Sequence, residues 1–359
     1  MRLKQTTLIR LLALMAYFVI ASGAQSLFSA TAGRDADLVA NLAEDGIIGS
    51  GSYGITALVY TLVPDALRPF PVYLLGSLFI LFSTRNLQSN VHALTVAFLC
   101  LAPSMLTIAT FQKDLLLVPF VVLAAFSIER LKRPRFAILS VVMIYLVYGM
   151  QFRSYYFLIA FIFIFIYLVI RRPLPFKIVL CLGLATVLLI TPASVFQELQ
   201  GSRDIVNLTR LNNPNAVGVR TAFLNLMPIE GTWSFIANYF YAAIKLNLAF
   251  LLNPGPRELF LQLNIIAYFF AIIWALRRGS QQARIASYLM MAHLLVLTLF
   301  EPDLGSYIRH LSCTLPYATI PLMEYFTSHK WRFIVRSRRT RKELTSRPAP
   351  SYRETPDRA

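Results

Sequence analysis

The chain alternates between long apolar runs and short polar segments. "YYFLIAFIFIFIYLVI" (155–170), "FKIVLCLGLATVLLI" (176–190) and "LFLQLNIIAYFFAIIWAL" (259–276) are among the longest runs. Segments of that length and purity predict membrane-spanning helices, because lipid offers the backbone no hydrogen-bond partner outside its own helix. About ten spans are expected, near 8–29, 70–84, 91–108, 114–129, 136–150, 155–170, 178–193, 259–276, 284–300 and 311–328. The predicted class is an all-α, polytopic integral membrane protein. Residues 1–329 form its transmembrane domain, with outer loops at about 30–69 and 193–257. Two further apolar stretches, 46–63 and 233–252, are read as re-entrant or interfacial. A full crossing by the first would invert the orientation of everything downstream, and the aromatics of the second suit an interface.

The charged segments orient these spans. Basic clusters sit at "MRLKQTTLIR", "ERLKRPR" (129–135), "RRPLPFK" (171–177), "RRGSQQAR" (277–284) and in the tail from Lys330. With ten spans all of them fall on one side. The positive-inside bias makes that side the cytoplasm, so both termini are expected there, in a multi-pass protein of the inner (plasma) membrane. Residues 330–359 read as a solvated, disordered tail, basic enough to touch anionic lipid. "ASGAQS" after the first apolar run resembles a signal-peptidase site, with cleavage after Ala24.

Composition agrees with the pattern. The 359 residues are 57% hydrophobic and 14% charged, against about 25% charged in a soluble domain. The net charge of +17 lies largely in the clusters just named, so it is a topology signal and no nucleic-acid partner is expected. Cys100, Cys181 and Cys313 all fall in apolar runs and read as small core hydrophobes.

Charge changes the picture on the outer side. The outer segments hold Arg34, Asp35, Asp37, Glu44 and Asp45; Lys113 and Asp114; Arg153, Tyr155 and Tyr156; Arg203, Asp204, Arg210 and Arg220; and "EPDLGSYIRH" with Glu301, Asp303, Tyr307, Arg309 and His310. Outer cations run against the bias that orders the rest of the chain, and unpaired charge at a span end is costly. Lys113 has a plainer reading as partner of Asp114, and Arg309 as an interfacial anchor. Taken together, five clusters on one side point to an outer-face site. Arginine holds phosphate oxygens in a fork and lysine adds a point charge. Neighbouring acids serve as general base or hold a divalent metal ion, and tyrosines offer flat faces to sugar rings. Such a set suits sugar transfer from a polyprenyl-phosphate carrier. No P-loop, dinucleotide fingerprint or HExxH is present. "NLT" at 207–209 is a glycosylation sequon on the outer side.

Three segments carry a resemblance. "GRDADLVANLAEDG", "LAPSMLTIATFQKDLLLVPF" and "GSYIRHLSCTLPYATIP" resemble segments of Wzy-type polysaccharide (O-antigen or exopolysaccharide) polymerases and related GT-C-type membrane glycosyltransferases. The resemblance implies a GT-C-like fold and an enzyme that joins polyprenyl-(di)phosphate-linked saccharide units outside the cytoplasmic membrane, beside other glycan-assembly proteins. It makes Asp35 or Asp37 the base. It gives Lys113, Arg153 and Arg309 the carrier's phosphates, with His310 near them. Asp114, Tyr155, Arg203 and Tyr307 complete the expected substrate-binding set. Glu301 and Asp303 are expected to orient Arg309.

Two other functions fit the same pattern. A flippase for lipid-linked sugars needs charge inside the spans. Only His293 and Glu324 stand out there, and both read as helix-packing groups. A non-catalytic subunit of a glycan-assembly complex predicts that the outer charges are dispensable.

Overall fold

In a computed structural model of the chain, residues 5–28, 34–49, 51–87, 100–212 and 221–326 are described. They are helical, with no strand among them. In order the helices are α1 (Gln5–Phe28), α2 (Arg34–Glu44), α3 (Gly51–Leu62), α4 (Pro69–Thr84), α5 (Ala102–Ile108), α6 (Val118–Arg130), α7 (Pro134–Gln151) and α8 (Tyr155–Arg171). There follow α9 (Leu174–Ile190), α10 (Ala193–Leu211), α11 (Thr232–Asn247), α12 (Ala249–Leu252), α13 (Pro256–Arg278), α14 (Gln281–Phe300) and α15 (Leu304–Ser312). Residues 315–326 are also helical and are called α16.

Five stretches are long and apolar enough to cross a membrane: Gln5–Gly23, Asp65–Thr84, Pro134–Gln151, Pro256–Arg278 and Gln281–Phe300. The pair α9–α10, bent by 93°, makes a sixth if counted as one span. Helix α8 is apolar but has 17 residues. The 12 residues of α3 and 16 of α11 fall short of the roughly 20 that a crossing needs. The turn expected between the spans at 91–108 and 114–129 is present but longer, and the second helix is correspondingly shorter. Helix α5 has 7 residues, the chain leaves helix over 109–117, and α6 resumes with 13. Residues 91–99 and the tail at 330–359 lie outside the described residues.

Local chemistry sets several helix starts. Proline opens α4, α7 and α13, at a position whose N–H has no intrahelical partner. The Ser280 hydroxyl accepts the Ala283 amide and caps α14. Packing then joins the helices. The Tyr17 hydroxyl of α1 lies 2.7 Å from the Val72 carbonyl oxygen and 3.0 Å from that of Ile108. It fits because α4 carries Gly76, where a Cβ would stand 2.0 Å from that oxygen. Helix α14 is the axis of the bundle, with most of its residues buried. Helix α9 is the opposite: none of its residues is buried and its apolar side chains project outward.

Polar contacts define two ends. At one, Arg10 donates to the Thr84 and Arg85 carbonyls, Arg85 pairs with Glu129, and Gln281 donates to the Lys132 carbonyl. Glu324 accepts from the Ser280 amide and hydroxyl there. At the other end Asp35, Lys113, Arg153, Arg203 and Arg309 gather. Helices α4, α6, α7 and α14 each run from one end to the other. Of the two in-span exceptions, Glu324 bonds Ser280, and the Nδ1 of His293 lies 2.9 Å from the Tyr317 hydroxyl. The three cysteines are free, with Cys100 and Cys313 buried and Cys181 exposed on α9.

Candidate functional site

The break between α5 and α6 builds the floor of the site. Over 109–117 the chain turns instead of continuing as helix, and this presents Lys113 and Asp114 at the end of the bundle. Asp114 is fully buried. Its Oδ1 accepts from Arg153 Nη2 at 2.8 Å and lies 3.5 Å from His310 Nε2. Its Oδ2 is 3.4 Å from Arg309 Nε. Buried charge of this kind persists only when paired, and here one carboxylate sits under three basic side chains from two segments, the turn before α8 and helix α15.

A second carboxylate closes the site from above. Asp35, in the first turn of α2, accepts from Arg309 Nη1 at 2.9 Å and stands 3.7 Å from Lys113 Nζ. The Lys113 ammonium lies 3.7 Å from the centre of the Tyr53 ring of α3, a cation–π contact. Burial by itself would raise the Asp35 pKa, but Arg309 and Lys113 outweigh it and hold the carboxyl below its usual value. For Lys113 burial works the other way. Together with repulsion from Arg153 it lowers the ammonium pKa to about 8, against the partial opposition of Asp35 and Asp114. Burial and the adjacent Asp35 push the Tyr53 hydroxyl well up, so it stays protonated.

Helix α15 carries the third part. Asp303 caps it, accepting the Ser306 amide and hydroxyl at 3.0 Å each. One helical face then offers Arg309 to Asp35 and Asp114, while His310 Nδ1 bonds the Glu301 carboxylate. The direct ion pairs of Arg309 are with Asp35 and Asp114, while Glu301 bonds His310 and Asp303 caps the helix start. Lys113 likewise pairs with Asp35, although Asp114 is its chain neighbour.

Asp35, Asp37, Lys113, Arg153, Tyr155, Arg203, Arg309 and His310 line one open cavity of about 1400 Å³. Asp37 is exposed to it and makes no ion pair among the described residues. Tyr155 accepts from Arg153 Nη1 at 2.8 Å and stacks on Phe300. Two expected substrate contacts are not at the surface. Asp114 lies beneath the cations and positions them. Tyr307 is fully buried behind the site and donates to Asn247 Oδ1 at 3.1 Å. Arg203 touches the cavity but is committed elsewhere: it bonds Asn225, pairs with Asp204 and stacks 5.1 Å from the Phe223 ring centre. Among the described residues no group of three or more His, Cys, Asp or Glu side chains is placed to hold a metal ion.

Three features had no place in the sequence-level site. Tyr53 and Arg257 line the cavity; Arg257, exposed, reaches over Gly305 with Nη2. The expected outer loop at 193–257 instead begins with helix α10, on which Phe196, Gln200, Arg203 and Asn207 form one buried stripe. Their spacing of 4, 3 and 4 is the signal that marks a helix face, obscured because three of the four are polar. Asn207, the sequon residue, is buried and donates to the Phe223 and Pro302 carbonyls, so its amide is closed to modification in this fold. The side chain of Arg210, and Arg220 entirely, lie outside the described residues. Comparison of the chain with protein-family models, with curated proteins and with solved structures finds no match in any of the three.

Proposed function

We propose that the chain is a membrane glycosyltransferase of the polymerase type, which joins saccharide units carried on polyprenyl phosphate or diphosphate at the outer face of the cytoplasmic membrane. The observation that carries this reading is the cavity at one end of an apolar bundle, into which Lys113, Arg153 and Arg309 converge beside the carboxylates of Asp35 and Asp37. Its volume of about 1400 Å³ exceeds the roughly 300–1,000 Å³ of sites for one small ligand and suits two saccharide chains. Guanidinium and ammonium groups hold phosphate oxygens strongly where water is scarce. In the reaction an acceptor hydroxyl attacks the anomeric carbon of the donor unit. The bond from that carbon to the phosphate oxygen breaks, the polyprenyl (di)phosphate leaves, and a carboxylate takes the hydroxyl proton. Asp37, exposed and unpaired among the described residues, is the available base; Asp35 is engaged.

The ten-span topology with both termini cytoplasmic belongs to the same reading. It is supported by the meeting of the basic segments around Arg10, Arg85, Lys132 and Gln281 at the end opposite the cavity. The resemblance to Wzy-type and GT-C-type proteins stands with it as a proposal. One observation favours the flippase instead. Beneath the site His293 is enclosed by the rings of Tyr145, Tyr156 and Tyr317, with a buried and unpartnered Nε2. A glycan gel on cells carrying Arg309→Ala, Lys113→Ala or the double change Asp35→Ala with Asp37→Ala separates the readings, once membrane abundance is matched. A transferase loses long polymer while single units still appear outside. A flippase loses the outside units as well. Polymer of normal length in all three overturns the catalytic reading.

A further inference from the structure

The cations of the site are not equivalent. Arg153 is locked: its side chain is 6% exposed, and it binds the wholly buried Asp114 and the Tyr155 hydroxyl. Arg309 and Lys113 differ, because the anion they share is Asp35, at the cavity wall. Arg309 and Asp35 keep 26% and 19% of their side-chain surface open. A single oxygen, Asp35 Oδ2, serves both Arg309 and Lys113. A carboxylate held through one oxygen between a guanidinium and an ammonium stands where a phosphate oxygen would stand, and phosphate brings more charge and more acceptors.

The element bearing Asp35 is joined through glycines. Helices α2 and α3 pack on each other as a hairpin. Their connection contains Gly46, Gly49 and Gly51 in the left-handed region, at φ +69°, +90° and +65°. Among the described residues, the contacts that fix the hairpin to the bundle include Asp35 on Arg309 and Lys113, Tyr53 on Lys113, and Tyr60 on Phe111 with ring centres 5.2 Å apart, where Val59 and Tyr60 also pack on the core. Those of Asp35 and Tyr53 run through Lys113.

We infer that Lys113 and Arg309 form an exchangeable anion site, occupied here by the protein's own Asp35 carboxylate and taken in turn by the phosphate of a polyprenyl phosphate or diphosphate. This rests on the proposed function for its ligand class. Binding then does two things at once. It frees Asp35 from its cations inside the cavity, and it detaches α2–α3 from its main polar anchor.

The test measures binding of farnesyl phosphate, and separately of inorganic pyrophosphate, to the full chain in nanodiscs at pH 7. Asp35→Asn removes the internal competitor, so it binds either probe about tenfold tighter than the unsubstituted chain. Glu44→Gln, the same charge change at the far end of α2, leaves affinity within twofold. Arg309→Lys binds more weakly. Equal or weaker binding by Asp35→Asn, or no binding by any form, overturns the proposal. Should Asp35→Asn fail to fold, hydrogen exchange on the unsubstituted chain decides. Amides of residues 34–44 exchange faster with farnesyl phosphate bound if Asp35 is displaced, and unchanged or slower exchange overturns the exchange. Tighter binding to farnesyl phosphate than to pyrophosphate assigns the lipid carrier, and the reverse order overturns that ligand class. The glycan gel reads the function separately. Normal polymer in all three variants of that gel, with displacement observed in the unsubstituted chain, removes the transferase and leaves the anion exchange standing.

Discussion

Asp114 has no exposure to the cavity, yet it decides where the cations stand. Arg153, Arg309 and His310 all reach it, the first from the turn before α8 and the other two from α15. Removing one partner of such a buried pair strands the other, at a cost of about 3–5 kcal/mol. Arg153→Ala is therefore expected to lower the unfolding temperature in detergent, and Arg153→Lys to restore only part of it, since lysine has no fork to span Asp114 and Tyr155. Lys113 gives the pH dependence. Asp35, Tyr53, Asp114, Arg153 and Arg309 face it, and its pKa falls from 10.5 to about 8, burial being the largest cause. Between those values the unfolded chain holds more of this proton than the folded one, so this group's contribution to stability rises with pH across that window. Anion binding needs the ammonium and runs the other way. Farnesyl phosphate affinity is expected to fall as pH rises through about 8, and Lys113→Arg to flatten the profile between pH 7 and 9.

At the scale of elements, two glycines control how helices meet. Gly76 lets the Tyr17 hydroxyl reach the α4 backbone; Gly76→Ala would put a methyl group 2.0 Å from that oxygen. Overpacking of this kind costs about 1–3 kcal/mol, and Tyr17→Phe in the same chain should recover part of it in a melting measurement. Gly49, at φ +90°, carries the connection of the α2–α3 hairpin. Alanine there costs about 1–2 kcal/mol without touching the bundle. The expected sign is faster hydrogen exchange confined to residues 34–62, with α14 unchanged; exchange rising equally in α14 would count against an independently attached hairpin. Helix α10 carries the same lesson in another form. Its buried stripe includes Gln200, Arg203 and Asn207, so hydropathy alone reads it as loop, and only its spacing marks it as helix.

For the whole molecule, the two ends are chemically distinct. Basic segments tie α1, α4, α6, α14 and α16 together at one end, while the other holds the cavity. The proposed topology makes the cavity end the outer one. In a chain whose three cysteines are replaced by serine, a membrane-impermeant maleimide applied to intact cells should label Asn41→Cys, which lines the cavity, and leave Lys132→Cys unlabelled until the cells are opened. Labelling of Lys132→Cys from outside would invert the orientation and the functional reading with it.

The membrane class and most of the site's residue types were legible in the chain itself. A span is a local property, since its backbone bonds to itself and its apolar run faces lipid, so runs such as 259–276 declare themselves. The charges at the cavity end declare themselves too, because they interrupt apolar sequence away from the large basic clusters. Which charges meet is decided between helices. Arg309 finds Asp35 across 274 positions of chain, while Glu301, eight residues away, goes to His310. Asp114 takes Arg153, 39 positions on, and leaves its neighbour Lys113 to Asp35. Tyr307 turns inward to Asn247, and Asn207 is sealed by two carbonyls. Nothing in local spacing encodes these choices. They follow from the need to pair every buried charge once the helices have packed, and only the tertiary arrangement determines which partners are then within reach.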